Sequence, residues 1–239
     1  MKAFKWFLAL MSVVGIAGGT LFTIQPKQDT IEHLRRITVH LQGVAGQGSG
    51  TIINRNGRNY IITAHHVCED NKINGAGYVP LIVKQIDDNG VIHTAEATVV
   101  KCDKGRDIAI LLVKQKNYVR DGVHFSLKTP AIGQHVWHCG CPYGFDYFAT
   151  VTDGLVSGRD RGIGGYLSDT ISATIFGGCS GGGIFDDDGN EIGIVVRKTG
   201  ETFGAMMPIR NIRDWVIKNH LEWMFDERLP DKIVGPIEE

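Results

Sequence analysis

Between Ile37 and Val113 the apolar residues come in short runs separated by turn residues. Ile37-Thr38-Val39-His40-Leu41 alternates with period two, and residues 59–63, 80–86 and 91–100 are rich in the β-branched side chains that suit a pleated surface. Asn54-Arg55-Asn56-Gly57 and Asp87-Asp88-Asn89-Gly90 predict hairpin turns, since Asn, Asp and Gly tolerate the positive φ those turns need. This half predicts a compact antiparallel barrel. Residues 114–133 are polar and weakly periodic, which makes them a connection. A second set of strands follows at 134–138, 148–156, 167–175, 183–185, 191–196 and 202–207, with Asp186-Asp187-Asp188-Gly189 as a sharp turn.

After Pro208 the period changes. Ile212, Trp215, Val216 and Trp223 fall near one helical face over 209–224, and Asn211 with Asp214 could cap its start. Residues 226–239 carry charges and two prolines and are expected to form a flexible tail. At the other end Lys2 and Lys5 precede residues 6–24, which carry no charge. As a helix that stretch would span about 28 Å at ~1.5 Å per residue, close to the thickness of a bilayer core. It reads either as a membrane anchor or as a signal peptide cut near Ala17-Gly18-Gly19, with the rest of the chain on the exported side. The expected domain plan is therefore 1–30 targeting segment, 31–225 folded domain and 226–239 tail, the folded part dividing into about 31–120, 121–207 and a helix at 208–224.

Composition narrows the function. The 239 residues are 43% hydrophobic and 21% charged, enough for one large all-β domain or two small ones. A net charge of −1 gives no electrostatic footprint for nucleic acid, so that partner is set aside. Five cysteines cannot all pair within one chain, so at least one thiol is free or intermolecular.

Gly177-Gly178-Cys179-Ser180-Gly181-Gly182-Gly183 places one hydroxyl among residues that let the backbone approach a ligand closely. A serine nucleophile needs a base, and the base needs a buried carboxylate to orient it. Thr63-Ala64-His65-His66-Val67 ends one strand with two histidines, and Gly105-Arg106-Asp107-Ile108-Ala109-Ile110-Leu111 opens another with an acid. The order His, Asp, Ser puts the base and acid in the first half and the nucleophile in the second, with the site in the cleft between them.

These stretches, together with Gly46-Gln47-Gly48-Ser49-Gly50-Thr51-Ile52-Ile53, Gly140-Cys141-Pro142-Tyr143-Gly144 and Val151-Thr152-Asp153-Gly154-Leu155-Val156-Ser157, resemble the trypsin-like serine proteases, nearest the Deg/HtrA branch. The likeness covers about residues 37–220. It implies an all-β double barrel of the chymotrypsin type, two six-stranded antiparallel barrels with a C-terminal helix, here preceded by an N-terminal hydrophobic helix. It implies a serine endopeptidase acting on proteins or peptides without a cofactor. Catalytic His66, Asp107 and Ser180 follow by position, with the amides of Gly178 and Ser180 as the oxyanion hole. His65 is the alternative base and Asp103 the competing acid. By the same analogy Thr174, Val195, Val196 and Phe203 would contact substrate, and no acid stands at the pocket base, which suggests a small or medium apolar P1 residue.

Three departures from the family matter. Cys179 stands where digestive relatives carry an aspartate, which raises a second reading, a cysteine-nucleophile protease. His135, His138, Cys139 and Cys141 are dense enough to suggest zinc, but neighbouring strand residues face opposite ways, so no metal is expected. Fifteen residues after the terminal helix are too few for a PDZ module, so none is expected. Trimerisation is common in the branch, but no residue here carries it. The loop 157–165 corresponds to a region that relays activation in that branch and reads here as flexible. A third reading, of another class, is a catalytically inactive protease-fold binding module.

Overall fold

The structure is a computed structural model that describes residues 28–73, 77–163, 165–199 and 203–232. The expected anchor or signal segment at 6–24 lies outside them. Among the described residues no helix is long and apolar enough to cross a membrane.

Two closed six-stranded barrels carry the fold, both antiparallel throughout. The first contains β1 (Thr38–Gln42), β2 (Gln47–Arg55), β3 (Arg58–Thr63), β6 (Leu81–Ile86), β7 (Ile92–Asp103) and β8 (Ile108–Val113). Their order is β1-β2-β3-β8-β7-β6, closed by pairing of β1 with β6. Between β3 and β6 a small sheet of β4 (Lys72–Ile73) and β5 (Gly77–Tyr78) stands aside. The second barrel, in the order β10-β11-β14-β13-β12-β9, contains β9 (His135–Gly140), β10 (Thr150–Ile163), β11 (Tyr166–Ile171), β12 (Gly183–Phe185), β13 (Glu191–Thr199) and β14 (Phe203–Pro208). Closure leaves no sheet edge open to another chain. Asn56 and Gly57, at φ 50° and 78°, make the β2–β3 turn the sequence predicts, and Gly90 at 76° serves the β6–β7 turn. Val39, Leu41, Ile52, Ile61, Leu81, Val83, Ile110 and Leu111 fill the first barrel, while Val136, Ile171, Ile184, Val195 and Met206 fill the second.

Helix α1 (Gln28–Ile37) was not foreseen. Ile37 closes this helix and does not begin an alternating strand, and β1 is buried on both faces over Thr38–Leu41 because Val39 and Leu41 face the first barrel's core while the other side meets the second barrel, where the His40 ring lies 5.8 Å from Phe145. Leu34 and Ile37 are fully buried, which contributes about 1.5–3 kcal/mol per side chain. Asp29 in the first turn and Arg35 and Arg36 in the last complement the helix dipole, and Thr38 Oγ1 donates to the Leu34 carbonyl at 2.7 Å.

Helix α2 (Ile209–Lys218) is shorter than expected, and Trp223 sits in a separate 3-10 turn, Glu222–Met224, edge-on to Tyr60 at 5.5 Å. Asn211 does not cap it, because its side chain donates to Leu167 O at 3.0 Å and Pro208 occupies the cap position. The expected loop at 157–165 is instead largely the continuation of β10, paired with β11 through Gly158↔Thr170 and Arg161↔Ser168 across two irregularities. A buried ion pair pins it: Arg210 donates to both oxygens of Asp169 (2.7 and 2.6 Å) and to Asp160 (2.7 Å). The described start of the tail is also held, since Arg55 donates to Asp231 (2.9 and 2.6 Å) and to the Leu229 carbonyl (2.9 Å).

Candidate active site

The cleft between the barrels is lined by His65, His66, Glu69, Lys104, Asp107, Tyr166, Ser180, Val196, Arg197 and Lys198, and its volume is about 470 Å³. His66 sits in the 3-10 turn His65–Val67, directly beyond the end of β3. Its Nδ1 lies 2.7 Å from Asp107 Oδ2, and its own backbone N–H donates to Asp107 Oδ1 at 2.9 Å. One carboxylate thus fixes both the ring and the backbone of the same residue. Asp107 precedes β8 with a φ of 56°, a left-handed conformation that few side chains adopt, and its side chain is 6% exposed. Asp103, the competing acid, is engaged elsewhere: it accepts the Arg106 amide at 3.0 Å and its guanidinium at 2.8 Å. His65, the competing base, is buried, and burial pushes its imidazole below the ordinary range.

Ser180 reaches the same cleft from the second barrel on the turn before β12. The Gly181 amide donates to Val195 O (2.7 Å), the Gly182 amide to Cys179 O (2.9 Å) and the Cys179 amide to Phe176 O (3.1 Å). Among the described residues the amides of Gly178 and Ser180 donate to no protein acceptor. The Ser180 hydroxyl likewise makes no hydrogen bond among the described residues; such bonds commonly tighten only when substrate binds. Gly178 has φ 93°, and a Cβ there would collide with the Cys141 carbonyl and crowd Tyr143 N at 2.9 Å. Glycine is required at that point by both conformation and space.

Of the four residues expected to meet substrate, Val196 lines the cleft. Val195 is buried and spends its carbonyl on Gly181, and Thr174 and Phe203 are not among the lining residues. Arg197 and Lys198, beyond a register shift in the β13–β14 pairing, line the cleft with Val196, and of these Lys198 lies outside the stretch 194–197 to which the family likeness points. Glu69 and Lys104 form an ion pair at the rim.

The His/Cys cluster does not converge. His135 lies between two carboxylates, with Nδ1 2.7 Å from Asp187 Oδ1 and Nε2 3.2 Å from Asp153 Oδ2, whereas His138 is buried with Nδ1 against Gly183 O at 3.1 Å. Among the described residues no group of three or more His, Cys, Asp or Glu side chains could hold a metal ion. All five cysteines are free, so no disulfide forms. Burial pushes the Cys139 thiol up to about 12 and Cys141 to about 11, and it raises Cys179 as well.

The trypsin-like peptidase domain family matches residues 48–194. The chain is 33% identical over 159 residues to chloroplastic Protease Do-like 8 of Arabidopsis thaliana, covering 62% of this chain and 34% of that protein. To a probable periplasmic serine endoprotease DegP-like of Bartonella henselae it is 34% identical over 153 residues, covering 62% of this chain and 27% of that one. The chain therefore spans about a third of the length of these relatives. The crystal structure of Deg5 superposes with a TM-score of 0.65 at 25% identity, over 79% of this chain and 92% of that one. With two closed barrels, and with the family matched over more than half of its length, the chain belongs to the trypsin-like peptidase domain family and is Deg/HtrA-like.

Proposed function

We propose that the chain is a serine endopeptidase in which Ser180 is the nucleophile, His66 the general base and Asp107 the residue that orients His66. The observation that carries this reading is the buried Asp107 carboxylate 2.7 Å from His66 Nδ1, in a cleft that Ser180 enters from the other barrel. With Nδ1–H donated to Asp107, Nε2 is left as the lone-pair nitrogen that takes the Ser180 proton. Ser180 then attacks the scissile carbonyl. Negative charge developing on its oxygen is met by the amides of Gly178 and Ser180, and one such donor is worth about 3 kcal/mol of transition-state stabilisation. His66 returns the proton to the leaving amine, the acyl-enzyme forms, and a water deprotonated by His66 releases the product.

The substrates are proteins or peptides whose chain lies along Val196, Arg197 and Lys198 of β13. Export is part of the proposal, supported by the uncharged residues 6–24 and by the periplasmic name of one relative. The cysteine-nucleophile reading is disfavoured by burial, which raises the Cys179 thiol where a nucleophile needs a lowered and accessible one.

Paired variants test the assignment. Cys179→Ala is expected to keep casein cleavage and fluorophosphonate labelling near wild type, and Ser180→Ala to lose both. Retained cleavage in Ser180→Ala would overturn the serine assignment. A folded wild type that takes no fluorophosphonate label would instead favour the inactive binding module.

A further inference from the structure

The opening stretch Gly46 to Ile53 carries a serine that the triad does not use. Ser49 lies on β2 of the first barrel and is fully buried, yet its polar atoms reach into the second. Its Oγ donates to Gly178 O at 2.7 Å and accepts the Cys141 amide at 2.8 Å. Its own amide donates to Ser180 O at 2.8 Å, and its carbonyl accepts Thr63 Oγ1 at 2.7 Å. Ser49 therefore touches the residue before Cys179 and the residue after it.

A second contact grips the preceding peptide. The Tyr143 amide donates to Gly177 O at 2.6 Å, and the Tyr143 carbonyl accepts Gln47 Nε2 at 3.1 Å. Gln47 Oε1 in turn lies 3.1 Å from Nε2 of the buried His40. The carbonyl and amide of one trans peptide point in opposite directions, so holding Gly177 O fixes the direction of Gly178 N–H. Holding Gly178 O fixes the next peptide in the same way. Glycine at φ 93° has no side chain to resist rotation of either peptide, so restraint must come from these partners.

We propose that Ser49 is a positioning residue for the oxyanion hole, with Gln47 as an outer brace acting through Tyr143. It touches no substrate; by holding the Gly178–Cys179 and Ser180–Gly181 peptides it limits rotation at Gly178 and Ser180, the residues whose amides meet the developing oxyanion, while Tyr143 holds the Gly177–Gly178 peptide itself. This rests on the reading of Gly178 and Ser180 as the oxyanion donors.

The test uses the full chain and a fluorogenic peptide taken from a casein cleavage site, with kcat expressed per site titrated by fluorophosphonate. Ser49→Ala is expected to lower kcat about 100-fold, the low end of the loss seen when a single oxyanion donor is removed, with KM within about twofold. The Ki of a peptide aldehyde of the same sequence, which places an oxyanion in the hole, should rise in parallel. Ser49→Thr keeps the hydroxyl and should recover most of the rate. Gln47→Ala removes an exposed contact, so it tests the same restraint without threatening the fold, and it should lower kcat about threefold. A structural defect would reduce the titrated fraction and leave kcat per site unchanged. If wild type labels and turns over while both alanine variants keep kcat and aldehyde Ki within about twofold, the inference is overturned and the protease reading stands. If wild type neither labels nor turns over, both fall.

Discussion

His138 makes acid stability a measurable property of one side chain. The ring is fully buried, Nδ1–H donates to Gly183 O at 3.1 Å, and Nε2 has no hydrogen-bond partner among the described residues. Burial pushes the imidazole down from 6.5 to about 4. A lowered histidine pKa means that the unfolded chain binds a proton the folded chain refuses, so stability is present above about 6.5 and is lost as pH falls toward 4. The full contribution is about 3 kcal/mol, of which about 2 kcal/mol is lost between pH 7 and pH 5. His138→Asn keeps an N–H for the Gly183 carbonyl and removes the titration. Its smaller side chain costs a constant amount at every pH, and the other histidines titrate equally in both proteins, so both effects cancel in the comparison. Urea unfolding followed by tryptophan fluorescence at pH 7 and pH 5, at fixed ionic strength, reads the difference. Wild type should lose about 2 kcal/mol more than His138→Asn over that interval. A stability difference that stays flat within ~0.5 kcal/mol would refute the reasoning, because it would mean the folded protein protonates His138 as readily as the unfolded chain does.

Glu191 behaves in the opposite sense: it is fully buried, neither oxygen has a hydrogen-bond partner among the described residues, and burial pushes its carboxyl well above the usual range. Stability is then lost as pH rises above the unfolded value of about 4.3, so Glu191→Gln should raise Tm more at pH 8 than at pH 5, and equal shifts in a thermal melt at the two pH values would contradict this. Arg210→Ala should cost about 3–5 kcal/mol in urea unfolding, because it strands the fully buried Asp169 without its bidentate partner. Adding Asp169→Asn should restore part of that loss, and an unaffected single variant would show that the pair does not pin β10 and β11 to α2.

The strands were legible because apolar and β-branched runs, buried on both faces in β3 and β8, are bounded by turn residues, and because Asn56-Gly57 and Gly90 leave few turn geometries open. The triad was legible because its chemistry restricts residue type, and Asp107 proved to hold His66 where Asp103 is spent on Arg106. Helix α1 was missed because only Leu34 and Ile37 of its ten residues are buried, and Ile37 also fits the alternation that follows. The arm beyond Ser157 read as a loop because Arg159, Asp160 and Arg161 are exposed, which hides its pairing with β11. Ser49 was quoted only as part of a strand. Its role depends on backbone atoms of Cys141, Gly178 and Ser180 in the other barrel, and side-chain pattern carries no trace of where a carbonyl will point. The cleft-facing set on β13 includes Lys198, beyond a bulge between Val195 and Arg197 that an alternating pattern does not foretell, while Thr174 and Phe203 were nominated by family likeness alone.

The cross-barrel hydrogen bonds of Ser49 bear on how the chain acquires activity. His66 and Asp107 come together within the first barrel, and the Ser180 turn belongs to the second, but the Ser49 restraint on Gly178 O and Ser180 O exists only when the two halves are docked in register. A chain whose barrels have come apart keeps His66 beside Asp107 and keeps Tyr143 on Gly177 O, but it loses the Ser49 contacts to Gly178 O and Ser180 O. On the proposed protease reading, competence to cut peptide bonds then depends on the docking of the two barrels and not only on the folding of each.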